Sequence, residues 1–521
     1  MYDIVLLTSN HGHPVPQRTT GAYRIASILR EHGYSVKVVD FFVDLYMRNP
    51  EDFKHLLSQY IGENTEFVGI SSTFLQLTGY TKNQHLFDPY NKRKNELLEE
   101  YKIVSEESFH DILSYIKSKH GVPIVLGGYS ISTKRIWLKF QHLIDNWIDG
   151  FADTAVIKFL ETLNPPKYYR YDQMAQQYDF RNIVPTFHVD DNIMSHETLP
   201  LEISRGCRFA CKFCSHPLIG KAPKDNKYLR SADSIYAELK YNYDNFGTTH
   251  YQLMCDTFNE SDIKMDEMEE AIERLGVDLH LMGYNRLDLM WNNEELTDRM
   301  YRLGVRATQF GIESLYDRAA KAIGKGLGKA RTKEAMQMVK SKYPDWLCMA
   351  SLIAGLPYET EETFREWGAE LVNGDYLLDS ISVTGLSMPE VVVDGATEWL
   401  SEFGMNPTKY GYQPTGLTNA LQSEEVGYIG LAPDKWHEWK SDNWTSERAR
   451  ELAWELNNEF MIQRGKLGPW LASSLHGYSE FDDYFSWDNL STRKKLDYDE
   501  ARVAMWTDEV IETYWEKLTN E

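Results

Sequence analysis

Three of the chain's five cysteines fall inside eight residues of the stretch Ser204-Arg205-Gly206-Cys207-Arg208-Phe209-Ala210-Cys211-Lys212-Phe213-Cys214, with the spacing C-x₃-C-x₂-C. Gaps this short let one loop wrap a single soft-metal centre, and thiolates are the preferred ligands of iron–sulfur clusters. Three ligands on a four-iron cluster would leave one iron open to a small molecule. Zinc is the competing centre, but a structural zinc site needs four ligands. His216 would have to be the fourth, on a cramped loop with Pro217 directly after it. Three thiols that cluster without binding anything are the third possibility.

The motif, with Arg-Gly before its first cysteine and an aromatic before its last, resembles the cluster loop of the radical S-adenosylmethionine (SAM) superfamily. The resemblance implies that Cys207, Cys211 and Cys214 hold a 4Fe–4S cluster. It implies further that the open iron chelates the amino and carboxylate groups of SAM, and that an electron from the cluster cleaves SAM to a 5′-deoxyadenosyl radical. Phe213 would then pack near the adenine.

Composition bounds the scaffold. A chain of 521 residues with 42% hydrophobic and 26% charged residues is expected to fold into two or three globular domains. Five cysteines, three of them clustered, suit a reducing cytoplasm better than a disulfide framework. The chain shows no apolar run of membrane-spanning length and no secretory pattern in Met1 to Leu7, so no membrane partner is expected. A net charge of −23 argues against binding intact nucleic acid and points to a small-molecule or peptide substrate.

The elements that must position the loop come in two βα series. Residues 1–163 alternate strand runs (Ile4 to Leu7, Val36 to Val39, Phe67 to Ile70, Val122 to Leu126) with helices such as Ala22 to His32, Phe109 to Lys119 and Ala155 to Leu163. This predicts a Rossmann-like, doubly wound parallel sheet whose ligands sit beyond the strands' carboxyl ends. Those ends carry Ser9 to His13, Ser71-Ser72-Thr73 and Gly127-Gly128.

The element order, with GY-x-V-x-VVD at 33–40, VGISST at 68–73 and PIVLGG at 123–128, looks like the cobalamin-binding domain of one radical SAM branch. The resemblance implies cobalamin near Ser71, Ser72, Thr73, Gly127 and Gly128. The D-x-H-x-x-G signature of a lower axial histidine is absent, and the spacing around His11 and His13 does not replace it. The polar stretch from Leu77 to Glu107 is longer than this connection requires. The alternative is a Rossmann-like domain that binds nothing or docks a partner.

Residues 164–197 read as a linker. From 198 to 389 a second series predicts strands at 199–204, 249–254, 278–283, 306–312, 347–353 and 380–385, hence a partial (βα)6 TIM-type barrel with its functional residues at the strands' carboxyl ends. Helices Asp262 to Leu275 and Glu294 to Leu303 each stop at a glycine, Gly276 and Gly304. Four strand-end stretches are similar to the family's SAM-binding motifs. In CDTFNES (Cys255 to Ser261) the resemblance implies Asp256 and Thr257, with Cys255 replacing the usual first acid. In YNR it implies Arg286, facing the SAM carboxylate unless it is paired with Asp288. In GIES it implies Glu313 and Ser314, and in LIAGLPYET it implies Ile353 and Gly355. Cys348 reads as a small core hydrophobe, and Cys255 as either that or a thiol near SAM.

Residues 390–521 are expected to form a mostly helical, packed region, because nine of the fourteen tryptophans lie between Trp399 and Trp515. The whole then reads as a radical SAM enzyme with 4Fe–4S, SAM and cobalamin, fed by an electron donor such as flavodoxin or ferredoxin. Its expected reaction is methylation of an unactivated carbon. The alternatives are a radical rearrangement, cyclisation or oxidation without cobalamin, and a non-catalytic iron–sulfur or zinc protein.

Overall fold

The computed structural model describes residues 1–10, 17–75, 105–128, 131–170, 180–183, 185–195, 197–214, 226–393, 396–399, 401–419, 435–464 and 500–520. His11, His13, His216 and most of the polar stretch from Leu77 to Glu107 lie outside them.

The first sheet contains β1 (Ile4–Thr8), β2 (Val36–Val39), β3 (Phe67–Ser71), β4 (Ile124–Gly128), β5 (Asn146–Asp149) and β6 (Tyr168–Arg170), in the order β2-β1-β3-β4-β5-β6. All its pairings are parallel. The strand order reverses between β1 and β3, so the crevice for a ligand opens beyond their carboxyl ends. Both strands are apolar runs because both of their faces are covered. Ile4 and Leu6 join one core while Val5 and Leu7 join another, the period-two alternation of a pleated strand. β5 and β6 were not predicted, and β6 falls in the stretch read as linker.

The second sheet contains β7 (Leu199–Leu201), β8 (His250–Leu253), β9 (His280–Asn285), β10 (Val305–Glu313), β11 (Leu347–Ala354) and β12 (Ser380–Gly385). Its order is sequential, β12-β11-β10-β9-β8-β7, and its pairings are parallel, as a partial (βα)6 barrel requires. The helix Asp262–Leu275 stops where Gly276 adopts φ 67°, a left-handed conformation that a side chain would strain. The helix Ser446–Arg464 closes the β12 edge. Its Asn457 side chain accepts from Val383 N at 2.9 Å and donates to Val383 O at 2.7 Å, replacing a missing strand.

The C-terminal region adds an antiparallel sheet that was not predicted, β13 (Pro389–Val393), β14 (Ala396–Trp399), β15 (Gln413–Asn419) and β16 (Lys435–Lys440), in the order β14-β13-β16-β15. Trp439 and Trp444 are buried in the core shared with the second sheet. The last helix, Glu500–Thr519, returns to the first sheet and buries Ile511, Tyr514 and Leu518 among Val5, Leu7 and Phe41. Tyr514 Oη accepts from Asp40 N at 2.9 Å, and its ring lies 5.0 Å from the buried Arg18 guanidinium.

Candidate functional site

The cysteine loop leaves β7 at the carboxyl end of the second sheet. Gly206, at φ 113°, makes the turn into Cys207 that only glycine takes without strain. The preceding Arg205 is buried and pairs with Asp153 at 2.5 Å and Glu202 at 2.7 Å, between the rings of Phe151 and Phe180. Asp153 also meets Arg24 at 3.4 Å, so the loop's root is tied to the first helix of the N-terminal unit.

Each cysteine has a defined surrounding. Cys207 is buried, with its sulfur 3.6 Å from Thr257 Oγ1, and burial pushes its thiol up to about 11. A thiolate at that position therefore needs a cation to stabilise it. Cys211 Sγ accepts from Arg286 Nη1 at 3.4 Å. Cys214 N donates to Cys211 O at 3.2 Å, which turns the third cysteine back over the second. Among the described residues no three His, Cys, Asp or Glu side chains are grouped to hold one metal ion. A four-iron cluster asks for a wider set, since each thiolate ligates its own iron. Three thiols on one loop, one of them buried and one facing a guanidinium, fit that group.

The other strand ends grip the loop. Glu260, after β8, accepts from Arg208 N at 2.8 Å and pairs at 2.7 Å with Lys264, both side chains fully buried. Lys264 also donates to Thr257 O at 2.8 Å. Asn259 exchanges two 2.9 Å hydrogen bonds with the main chain of Arg286, locking the end of β8 to the end of β9. Lys212 N donates to Ile323 O at 3.1 Å, and Phe403 N donates to Lys212 O at 3.2 Å.

Asp256 lies beside this grip, its carbonyl accepting from Thr257 Oγ1 at 2.7 Å. Glu313 ends β10 at φ 68°, buried, 3.6 Å from Lys325. Burial raises its carboxyl while Lys325 and Arg286 oppose the shift. Gly311 makes room for this pair, since a Cβ there would stand 2.8 Å from both Glu313 Oε1 and Lys325 Nζ. The Phe213 ring lies 5.9 Å from Lys325 Nζ, so Phe213, Lys325 and Glu313 form one group.

Ser314 donates instead to the buried Glu359, at 3.0 Å. Glu359 Oε1 also accepts from Trp367 Nε1 at 3.0 Å, and its main-chain carbonyl accepts from Trp444 Nε1 at 2.7 Å. Burial pushes the Glu359 carboxyl up to about 7. Ile353 is buried, and Gly355 (φ 90°) faces the C-terminal region: a Cβ there would lie 2.8 Å from the Trp439 ring, and its carbonyl accepts from Tyr412 Oη at 2.8 Å. Cys255 is buried, and burial pushes its thiol up to about 12. Cys348 is a core residue whose thiol donates to Trp346 O at 3.4 Å. Lys264 and Lys325 have no local signature, and Asn259, Glu260 and Glu359 lie inside the CDTFNES and LIAGLPYET stretches without being singled out, because their buried partners come from segments that spacing does not encode.

Arg286 is buried rather than on the surface, and Asp288 takes both ends of its fork, at 2.9 and 2.6 Å. The bidentate edge that a free carboxylate would need is thus engaged.

The first sheet's carboxyl end is of another kind. Ser72 Oγ donates to Gly127 O at 2.8 Å and lies 2.9 Å from Thr133 Oγ1. Gly128, at φ 127°, lies under these hydroxyls: a Cβ would meet Thr133 Oγ1 at 2.7 Å, Thr73 Oγ1 at 2.9 Å and Ser72 Oγ at 3.2 Å. Ser71 Oγ lies 3.5 Å from where a Cβ of Gly21 would stand. A glycine floor walled by three hydroxyls, next to the reversal of strand order, fits a large ligand with amide groups.

The fold and the cysteine loop define a class of protein, and the sequence profile of the Radical SAM superfamily matches residues 201–370. The chain carries a radical SAM domain. Its whole fold is similar to that of the radical SAM methyltransferase TsrM from Kitasatospora setae, solved with cobalamin and a 4Fe–4S cluster bound. The TM-score is 0.61 at 16% identity, over 98% of this chain and 100% of that one. It is also similar to the cobalamin-dependent SAM radical enzyme OxsB, with TM-score 0.53 at 13% identity over 99% of this chain and 80% of that one. In sequence, 160 residues are 29% identical to the uncharacterized methyltransferase PH0819 of Pyrococcus horikoshii, over 30% of this chain and 33% of that relative's length.

Proposed function

We propose that the protein is a cobalamin-dependent radical SAM methyltransferase that acts on an unactivated carbon of a small molecule or peptide. The observation that carries the reading is the cysteine loop held at the carboxyl end of the second sheet by Glu260 after β8, Arg286 after β9 and Ile323 at the end of the helix Asp317–Ala322 that follows β10. When bound, the cluster supplies the electron for reductive cleavage of SAM and cobalamin supplies a carrier for its methyl group.

The chain's own residues bind and orient. Cys207, Cys211 and Cys214 are the cluster ligands. SAM lies along the strand ends that carry Asp256, Thr257, Glu313 and Ser314, with Phe213 and Ile353 on its adenine side. Lys325 is the cation nearest to Glu313 and supplies the positive charge that an amino-acid carboxylate requires. Ser71, Ser72, Thr73, Gly127 and Gly128 form the cobalamin floor. TsrM is described with tryptophan as substrate, which supports a small molecule here. No helix among the described residues is long and apolar enough to cross a membrane, and we place the enzyme in the cytoplasm with a flavodoxin or ferredoxin as electron donor.

The test is anaerobic purification after corrinoid supplementation, followed by incubation with SAM and a reductant. Stoichiometric corrinoid, and S-adenosylhomocysteine formed beside 5′-deoxyadenosine, are the expected results. 5′-Deoxyadenosine alone, from protein that retains no corrinoid, would replace methyl transfer with a rearrangement, cyclisation or oxidation.

A further inference from the structure

We infer that Arg286 is an electrostatic tuning residue for the iron–sulfur cluster: its Nη1 hydrogen bond to Cys211 Sγ raises the cluster's reduction potential. This rests on the cluster reading given above. The usual expectation for an arginine at this strand end is a clamp on a substrate carboxylate, and the geometry points elsewhere.

The guanidinium is fixed on every side. Asp288 binds Nε at 2.9 Å and Nη2 at 2.6 Å, and Gly324 O accepts a second Nη2 hydrogen bond at 3.2 Å. The ring of Phe209, inside the cysteine loop, lies 3.9 Å from its central carbon. The main chain of Arg286 is held by the reciprocal amide contact with Asn259. With the fork occupied, Nη1 is left directed at the sulfur, at 3.4 Å. An arginine guanidinium does not lose its proton in a protein, and the 2.6 Å pairing with Asp288 compensates its charge here.

The consequence follows from charge. One-electron reduction adds negative charge to the cluster and its sulfurs. A cationic N–H donor in a buried, low-dielectric position stabilises the reduced form more than the oxidised one. The contact also requires no reorganisation on reduction, because Asp288 and Phe209 hold the donor in place beforehand. Arg286 thus makes the cluster easier to charge from a mild donor, and Asp288 and Phe209 act as its positioning residues.

The test is a redox titration of anaerobically reconstituted full-length protein, followed by electron paramagnetic resonance, with iron and sulfide counted in each sample. R286M removes the donor and the charge and should shift the potential to more negative values at unchanged iron content. R286K keeps the charge while replacing the planar donor, and should fall between R286M and the wild type. Electron–nuclear double resonance on the reduced wild type in H₂O and D₂O should show an exchangeable proton coupling that R286M lacks. A wild-type potential and an unaltered proton coupling in R286M would overturn the inference. If R286M does not retain iron, R286K decides the question by the same two readouts. A wild-type protein that takes up no cluster would instead defeat the reading beneath it, so the two failures are distinguishable.

Discussion

The carboxyl ends of the two parallel sheets share a topology and differ in chemistry. At the first, the groups that converge on Gly128 are the hydroxyls of Ser72, Thr73 and Thr133. At the second they are thiols and buried ions: Cys207 beside Thr257, Cys211 beside Arg286, Glu260 with Lys264, and Glu313 with Lys325. Hydroxyls over a glycine floor suit a bulky ligand that presents amides, at little electrostatic cost. Buried ions cost more to maintain, and those of the second sheet are each held by an opposite charge. One fold principle, ligands beyond strand ends, frames two chemically different strand ends within one chain, and on the proposed reading each takes its own cofactor.

The comparison predicts a double dissociation, which is also its largest effect. C211A should lose nearly all cluster iron while corrinoid retention persists, as measured by iron and corrinoid analysis of the same sample. Retained SAM cleavage by C211A would refute the ligand assignment. The converse variant is G128V. A branched side chain at φ 127° stores about 1–3 kcal/mol of strain and fills the cradle, so corrinoid binding should weaken at least ~10-fold with iron unchanged. If G128V binds corrinoid normally, the first sheet's end is not the site.

A smaller effect separates the two ends by pH. Burial holds the Glu359 carboxyl at about 7, above its ordinary value of 4.5, while Trp367 and Ser314 oppose the rise. The folded value lies above the unfolded one, so the stability the group confers is complete below about pH 4.5 and is lost as pH rises through about 7, by on the order of 3 kcal/mol at most. Melting temperature should therefore fall as pH rises from about 4.5 to about 7 and level off above that, and E359Q should flatten the fall. The slope left in E359Q belongs to the other carboxyls that burial raises, Glu313 in the same unit and Asp40, held at about 7 against Arg18, in the first. A wild-type slope in E359Q would place the pH sensitivity elsewhere.

The smallest predicted effect concerns the link between the chain's ends. Y514F removes the acceptor for the buried Asp40 N–H and should cost about 1–2 kcal/mol, read as a lower urea midpoint with iron content unaffected.

What was legible in the sequence was local. The C-x₃-C-x₂-C loop and the strand runs of the second sheet are patterns over a few residues, and the glycine stop at Gly276 sits where its helix ends. The Asp394-Gly395 dipeptide between Val391-Val392-Val393 and Ala396–Trp399 was an available hairpin signal, and β13 and β14 do pair, with Val393 opposite Ala396. Distance in the chain hid the rest. Glu359 joins Ser314, Trp367 and Trp444 from three separate segments, and Tyr514 meets Asp40 across almost the whole chain. β5 and β6 are only four and three residues long, too short for periodicity to register. Arg286 was placed at the right strand end, yet which partner would take its fork depended on a buried geometry that spacing does not encode.

In the proposed reading the cysteine loop holds a cluster that cleaves SAM. Its most direct test is 5′-deoxyadenosine release from SAM by anaerobically purified protein with a low-potential reductant, wild type beside C211A. Release is expected from the wild type, with iron and sulfide in four-iron proportion, and none from C211A. A wild-type protein that carries zinc in place of iron and leaves SAM intact would contradict it.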